Sequence, residues 1–145
     1  MPFFREFILP YFARITATCH KMGLPVMMHN DGKIWKLLDD LVASGINAYH
    51  PIERAAGMDL GIVKEKYRGK LCLVGNVNNK TTLATGTLEE VERETIECLR
   101  TGAPGGGYIL AADHSLHDGQ QVQNILKMIE TARKYGAYPL NLPKE

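Results

Sequence analysis

Apolar residues recur along the chain in two alternating patterns, a helical spacing and short continuous runs. The spacing over residues 3–22 predicts a helix that bends or effectively starts at Pro10 and ends at Gly23. Four more helical stripes follow, each with a glycine near its end, beginning near Ile34, Asp59, Thr87 and Val122. Each stripe is preceded by an apolar run typical of a buried strand: LPVMMH (24–29), INAYHP (46–51), LCLVGNV (71–77) and GYILAA (107–112).

The order of elements is one helix followed by four strand–helix units. This alternation predicts an α/β fold with four parallel strands and covering helices. We expect a single domain over residues 1–145, because no linker or low-complexity tract divides the chain. Parallel strands point their carboxyl ends to one edge of the sheet, and α/β proteins build their sites there.

Composition excludes several classes of partner. Seventeen basic and sixteen acidic residues give no large attraction to nucleic acid or to anionic lipid. No apolar run approaches the roughly 18 residues of a membrane span, and Arg5, Glu6 and two prolines interrupt the opening segment, so it is not a signal peptide. Three well-separated cysteines, Cys19, Cys72 and Cys98, favour reduced thiols and a cytoplasmic location.

Polar and ionisable residues follow every predicted strand. Four of the five histidines lie in these exits; His20 alone falls in a predicted helix. The exits are HNDG (29–32), HPIE (50–53), GNVNN (75–79) and ADHSLH (112–117). If the strands are neighbours, one pocket gathers the following side chains: His29, Asp31, His50, Glu53, Asn76, Asn78, Asp113 and His114.

Residue spacing favours His29 and Asp31 as the chemical centre of this pocket. They can project to the same side of an extended segment, which suits a metal or an imidazole–carboxylate pair. Structural roles are the alternatives for the other exits. Asn76 and Asn78 also fit a turn, Glu53 also fits a solvated surface, and His50 also fits loop packing. The glycine-rich segment 104–108 precedes a strand, whereas phosphate loops follow one, so it reads as a hinge or tight turn.

Stretches from all parts of the chain resemble the uroporphyrinogen decarboxylase (URO-D) superfamily, which includes corrinoid-dependent methyltransferases. They are FFREFILPYFARI, GLPVMMHNDG, GINAYHPIERAAGMDL, LVGNVNNKTTLATGTLEEV, GGGYILAADHSL and QNILKMIETARKYGAYP. The resemblance implies the C-terminal half of a TIM (β/α)₈ barrel, without the N-terminal half that carries the decarboxylase's key Arg and Asp.

The resemblance also implies roles for individual residues. In the methyltransferase branch a zinc-binding His-x-Cys ends the strand that corresponds to 25–29, where this chain has His29-Asn30-Asp31. The implied metal ligands are therefore His29, Asp31 and His114, a harder set that admits zinc and other ions. In the decarboxylase branch a histidine after the last strand contacts a substrate carboxylate. The resemblance implies this role for His114, which occupies the corresponding position.

Three functions follow as hypotheses. The first is metal-assisted methyl transfer from a corrinoid, with His114 and Asp31 as catalytic groups and His50, Glu53, Asn76 and Asn78 binding substrate. The second is tetrapyrrole decarboxylation in porphyrin biosynthesis, without metal or cofactor. The third is a non-catalytic half-barrel assembly module. Because four strands cannot close a barrel, we expect a homo-oligomer or a complementing N-terminal half.

Overall fold

A computed structural model describes residues 2–144 of the chain. A π-helical segment, Phe4–Ile8, and a short 3₁₀ helix, Arg54–Ala56, accompany the regular elements. The α-helices are α1 (Leu9–Lys21), α2 (Trp35–Ala43), α3 (Leu60–Tyr67), α4 (Thr82–Thr85), α5 (Leu88–Gly102) and α6 (Val122–Tyr135). The strands are β1 (Met27–His29), β2 (Ala48–His50), β3 (Cys72–Val77) and β4 (Tyr108–Ala112).

The four strands form one parallel sheet in the order β1-β2-β3-β4, which confirms the α/β prediction. Helices connect successive strands, because parallel neighbours need a crossover connection. All four carboxyl ends therefore lie along one edge of the sheet, as the alternation of elements predicts.

The two faces of the sheet differ sharply in exposure. Tyr49 is paired in register with Leu73, and both are buried under the helices at 0% and 1% exposure. Side chains alternate between faces along a strand. The opposite face carries Met27 on β1 and Ile109 on β4, which are 60% and 53% exposed. The core thus lies between sheet and helices, and apolar side chains of the other face meet solvent.

Local sequence signals account for the starts of α3 and α5. Asp59 caps α3 by accepting a hydrogen bond from the Ile62 amide, and Thr87 and Glu90 form the predicted capping box of α5. The predicted helix 3–22 is a π-helical segment followed by α1, with Pro10 in the first turn of α1. The glycine-rich segment 104–108 is a turn leading into β4, as expected. The structure adds α4, which the sequence pattern does not predict.

Within residues 2–144 no helix combines the length and apolarity needed to cross a membrane.

Candidate active site at the strand exits

The last residues of β1 and β2, His29 and His50, lie side by side at the carboxyl edge of the sheet. They are register partners, and their Nδ1 atoms are 2.6 Å apart. The preceding residues, Met28 and Tyr49, also pair and face the helices. Since side chains alternate along a strand, both histidines project to the opposite face of the sheet, the one that carries Met27 and Ile109. Within residues 2–144 no helix packs on this side, and it is called the uncovered face below.

Asp31 joins His29 to His114, which follows β4. Its Oδ2 atom lies 3.4 Å from Nε2 of His29 and 3.4 Å from Nε2 of His114. The rings of His29 and His114 meet edge to face, with centroids 5.9 Å apart. The three side chains are between 37% and 44% exposed, so a ligand in solvent can reach them.

This cluster has the composition of a metal centre. One potential ligand atom from each of the three residues lies within 4.8 Å of the others. Tetrahedral zinc with bonds of about 2.0–2.1 Å separates its ligand atoms by about 3.4 Å. The two Nε2–Oδ2 distances match that spacing, and two imidazoles with one carboxylate form a donor set that zinc accepts. The residues present therefore fit a zinc ion.

Tyr49 and Gly32 hold the loop that carries Asp31. The Tyr49 hydroxyl donates a 2.6 Å hydrogen bond to the carbonyl of Asn30, and burial raises the pKa of this phenol well above its usual value. Gly32 has φ = +92°, a conformation that L side chains rarely adopt, so the chain turns there immediately after Asp31. The HNDG sequence thus combines the pair His29 and Asp31 with the turn that presents Asp31.

Glu53 forms hydrogen bonds that link the loops after β1, β2 and β3. Its carboxylate accepts hydrogen bonds from the Gly32 amide at 2.7 Å and from Lys80 Nζ at 2.9 Å. The Lys80 hydrogen bond, followed by that of Gly32, holds the pKa of Glu53 below its usual value. Glu53 is buried, and both of its oxygens are engaged in these contacts. The sequence analysis predicts that Glu53 binds substrate. In the structure its carboxylate forms hydrogen bonds with Gly32 and Lys80 in the neighbouring loops.

The two asparagines at the carboxyl end of β3, Asn76 within the strand and Asn78 after it, make hydrogen bonds away from the histidines. The amide of Asn76 donates to the Ile52 carbonyl at 3.0 Å, and its oxygen accepts from the Cys98 thiol on α5 at 3.5 Å. The side-chain oxygen of Asn78 accepts from the amides of Lys80 and Thr81, as a turn former does. The structure therefore brings together His29, Asp31, His50 and His114 and engages Asn76 and Asn78 elsewhere.

Asp113 and His50 are the site residues with unusual surroundings. Asp113 is 1% exposed, and its Oδ1 atom accepts a hydrogen bond from the backbone amide of Asn79. Its Oδ2 atom is buried without a hydrogen-bond partner among residues 2–144. Burial raises the pKa of Asp113. The pKa of His50 is lowered, chiefly by burial and then by His29.

Lys80 is the group at this edge that sequence reasoning missed. Its ammonium lies close enough to Asp113 and Asp31 for their charges to raise its pKa, after the larger effect of Glu53. Its position directly after the GNVNN exit was the available signal.

Comparison with known proteins gives a family and a fold. A family model described as "Uroporphyrinogen decarboxylase (URO-D)" matches residues 2–135. Among solved structures, the chain is similar to a methyltransferase from Methanosarcina mazei, with a TM-score of 0.76 and 21% sequence identity. The match covers 92% of this chain and 37% of that chain. No curated protein matches the sequence significantly. The shared fold confirms the predicted half barrel of four parallel strands with covering helices.

Proposed function

The chain belongs to the uroporphyrinogen decarboxylase (URO-D) family, and from that premise we propose that it forms part of a zinc-assisted methyltransferase. The observation that carries the proposal is the position of Asp31 Oδ2, 3.4 Å from Nε2 of both His29 and His114. The description of a solved structure of the same fold as a methyltransferase supports this choice of reaction.

Three protein ligands suit a catalytic zinc site, which keeps one position open for water or substrate. Zinc bound there would act as a Lewis acid and lower the pKa of the methyl acceptor. Asp31 contributes the one negative charge of the set, and the exposure of all three side chains leaves room for the acceptor. Glu53 and Tyr49 hold the loop after β1, so Asp31 keeps its place between the two histidines.

The proposed methyl donor is a corrinoid, in keeping with the methyltransferases that the sequence resembles. The chain spans 37% of the length of the solved methyltransferase. We therefore assign turnover to the assembled barrel, in which further strands face the cluster. A non-catalytic half-barrel module is the alternative if the cluster binds neither metal nor substrate.

Tetrapyrrole decarboxylation is the second candidate, and the position of Lys80 favours it. Its largely exposed ammonium lies near Asp31, while His114 presents an imidazole at the same edge. These groups would hold the carboxylates of a tetrapyrrole and stabilise developing charge without a metal. Under this alternative the contacts of Asp31 with the histidines are imidazole–carboxylate pairs.

A zinc titration of the purified chain separates the two candidates. After treatment with a chelator, the wild-type protein should bind one zinc per chain in a calorimetric titration. His29→Ala and His114→Ala should each abolish stoichiometric binding, because two ligands rarely hold zinc in competition with water. The matched control is His117→Ala, which removes an exposed histidine from the same exit as His114. If the wild-type protein binds no zinc but binds a tetrapyrrole polycarboxylate in a manner that requires His114, the decarboxylase candidate replaces the methyltransferase.

A further inference from the structure

We propose that the chain has a second binding site, for a small zwitterion such as an α-amino acid, on the helix-covered side of the sheet. The site is a cavity of about 150 Å³ between the short 3₁₀ helix, the start of α3 and α5. His29 and His50 project to the other face, so this cavity is separate from the cluster at the strand exits. The inference does not depend on the zinc site of the proposed function.

Arg54 gives the cavity a positive charge with unused hydrogen-bonding capacity. A guanidinium has five N–H donors, and its ordinary hydrogen bonds are about 2.7–3.2 Å long. Within residues 2–144 the contacts of Arg54 are longer: 3.5 Å to Glu97 Oε1, 3.6 Å to Cys98 Sγ and 3.9 Å to Glu94 Oε1. Both oxygens of Glu94 already accept shorter hydrogen bonds elsewhere. The guanidinium can therefore donate to an anionic group in the cavity.

The start of α3 adds donors for the same anionic group. Leu60 and Gly61 are the first two residues of α3, and both line the cavity. The first amides of a helix have no partner within the helix, and the Asp59 cap accepts from the Ile62 amide only. A Cβ added to Gly61 would meet Asp59 Oδ1 at 3.2 Å and Thr101 Cγ2 at 3.3 Å. The glycine therefore keeps the approach to these amides open.

Two carboxylates at the same cavity favour a zwitterion over a simple anion. Asp59 and Glu97 line it beside Arg54, so negative charges outnumber the positive one. Asp59 caps α3 through Oδ1, and Glu97 faces Arg54 through Oε1, so the second oxygen of each can accept from an ammonium group. The carboxylates would repel an anion, and the guanidinium would repel a cation. A ligand that carries both charges satisfies both sides of the cavity.

The volume of the cavity limits the ligand to a small amino acid. In another protein an engineered cavity of about 150 Å³ holds benzene, a molecule of about the same heavy-atom size as alanine. Glycine and alanine therefore fit, whereas the indole of tryptophan does not.

Titrations of metal-free protein followed by ¹H–¹⁵N NMR test the site. L-Alanine is the probe, acetate and ethylammonium each carry one of its charges, and L-tryptophan is the control for size. We expect a saturable shift of the Gly61 amide with L-alanine, with a Kd of about 1 mM. The other three compounds should bind at least about tenfold more weakly. The inference is overturned if L-alanine shows no saturable binding, or if acetate binds as tightly as L-alanine.

Two substitutions separate the charges of the cavity. Arg54→Gln should weaken L-alanine and acetate about tenfold or more, because a charge-assisted contact is lost. Glu97→Gln should weaken L-alanine about fivefold without weakening acetate, since only the ammonium loses a partner. The matched controls are Arg68→Gln and Glu65→Gln, exposed residues that should leave both affinities unchanged. Glu97 is 58% exposed, so its variant should fold and decides the matter if Arg54→Gln does not. Unchanged binding of L-alanine in Glu97→Gln contradicts the inference.

Discussion

Asp31 and His114 are 3.4 Å apart, from Oδ2 to Nε2, although they follow the two outer strands of the sheet. In a flat sheet the first and fourth strands would lie about 14 Å apart, at about 4.8 Å for each step. The contact therefore depends on the exit loops and on a curled sheet, as in the wall of a barrel. Chemistry that uses both residues is confined to the carboxyl edge, where the loops meet.

Replacing Asp31 with Asn tests the charge at the centre of this cluster. The substitution keeps the shape of the side chain but removes the only negative charge among the three proposed zinc ligands. We expect zinc affinity to fall at least about tenfold, since carboxylate ligands bind as anions. Calorimetric titration measures the change. The control is Asp118→Asn, a fully exposed carboxylate in the exit after β4. Equal zinc affinity in Asp31→Asn and the wild-type protein would remove Asp31 from the ligand set.

Gly32→Ala tests the turn that follows the ligand pair. The backbone of Gly32 has φ = +92°, and an added Cβ would meet nothing within 4 Å, so the effect is one of conformation alone. We expect the free energy of unfolding to fall by about 1 kcal/mol, measured by urea denaturation. Gly32→Asn should recover part of this loss, because Asn tolerates positive φ better than Ala. A stability unchanged in Gly32→Ala would show that the loop adopts another conformation in solution.

The ion pair of Glu53 predicts a dependence of stability on pH. Its pKa is lower in the folded protein than the ordinary value of 4.5, so the carboxylate stabilises the fold above about pH 4.5. That stabilisation should disappear as the pH falls through the folded-state pKa. In Glu53→Gln this part of the pH dependence should be absent. At neutral pH the variant should be about 1–2 kcal/mol less stable, a modest value because Lys80 is largely exposed.

Urea denaturation at a series of pH values checks the Glu53 prediction. The matched control is Glu65→Gln, an exposed glutamate on α3, which should retain the wild-type profile. Parallel stability curves for Glu53→Gln and the wild-type protein across the acidic range would contradict the prediction.

Sequence patterns predict the sheet and the main helices because burial sets their periodicity. The runs that contain Tyr49 and Leu73 are apolar because one side of each strand packs against the helices. The short α4 escapes prediction because four residues carry no helical period. It is stabilised by contacts from distant residues, such as the Asn124 amide on the carbonyls of Thr82 and Gly86.

The candidate site is predictable in location and only partly in detail. Histidines and an aspartate after parallel strands indicate a common edge, and His29, Asp31 and His114 do meet there. The direction of a side chain in an exit loop depends on local hydrogen bonds that no periodicity encodes. Asn76 therefore contacts Cys98 and Ile52, although its place near the carboxyl end of β3 predicts the histidine pocket. The direct contact between His29 and His50 depends on register, which the sequence leaves open.

The uncovered face of the sheet predicts how the isolated chain behaves in solution. Met27 and Ile109 lie on its two outer strands with more than half of each side chain exposed, and β1 and β4 each have an unpaired edge. A barrel with a filled interior needs about eight strands, so four leave apolar surface and backbone groups in water. In a purified preparation the available occupant is a second copy, and we propose that two or more copies associate through this face.

Light scattering at micromolar concentration tests the association. The wild-type chain should show at least twice the monomer mass of 16.1 kDa. Met27→Lys and Ile109→Lys should shift the population towards monomer, because each places a charge on the apolar face that association would bury. Ile62→Lys is the matched control, since Ile62 is 60% exposed on α3 and lies away from the uncovered face. Circular dichroism should show all three variants folded, so that a loss of association is not a loss of structure. A stable, folded wild-type monomer at this concentration contradicts the prediction, and so would an equal loss of association in Ile62→Lys.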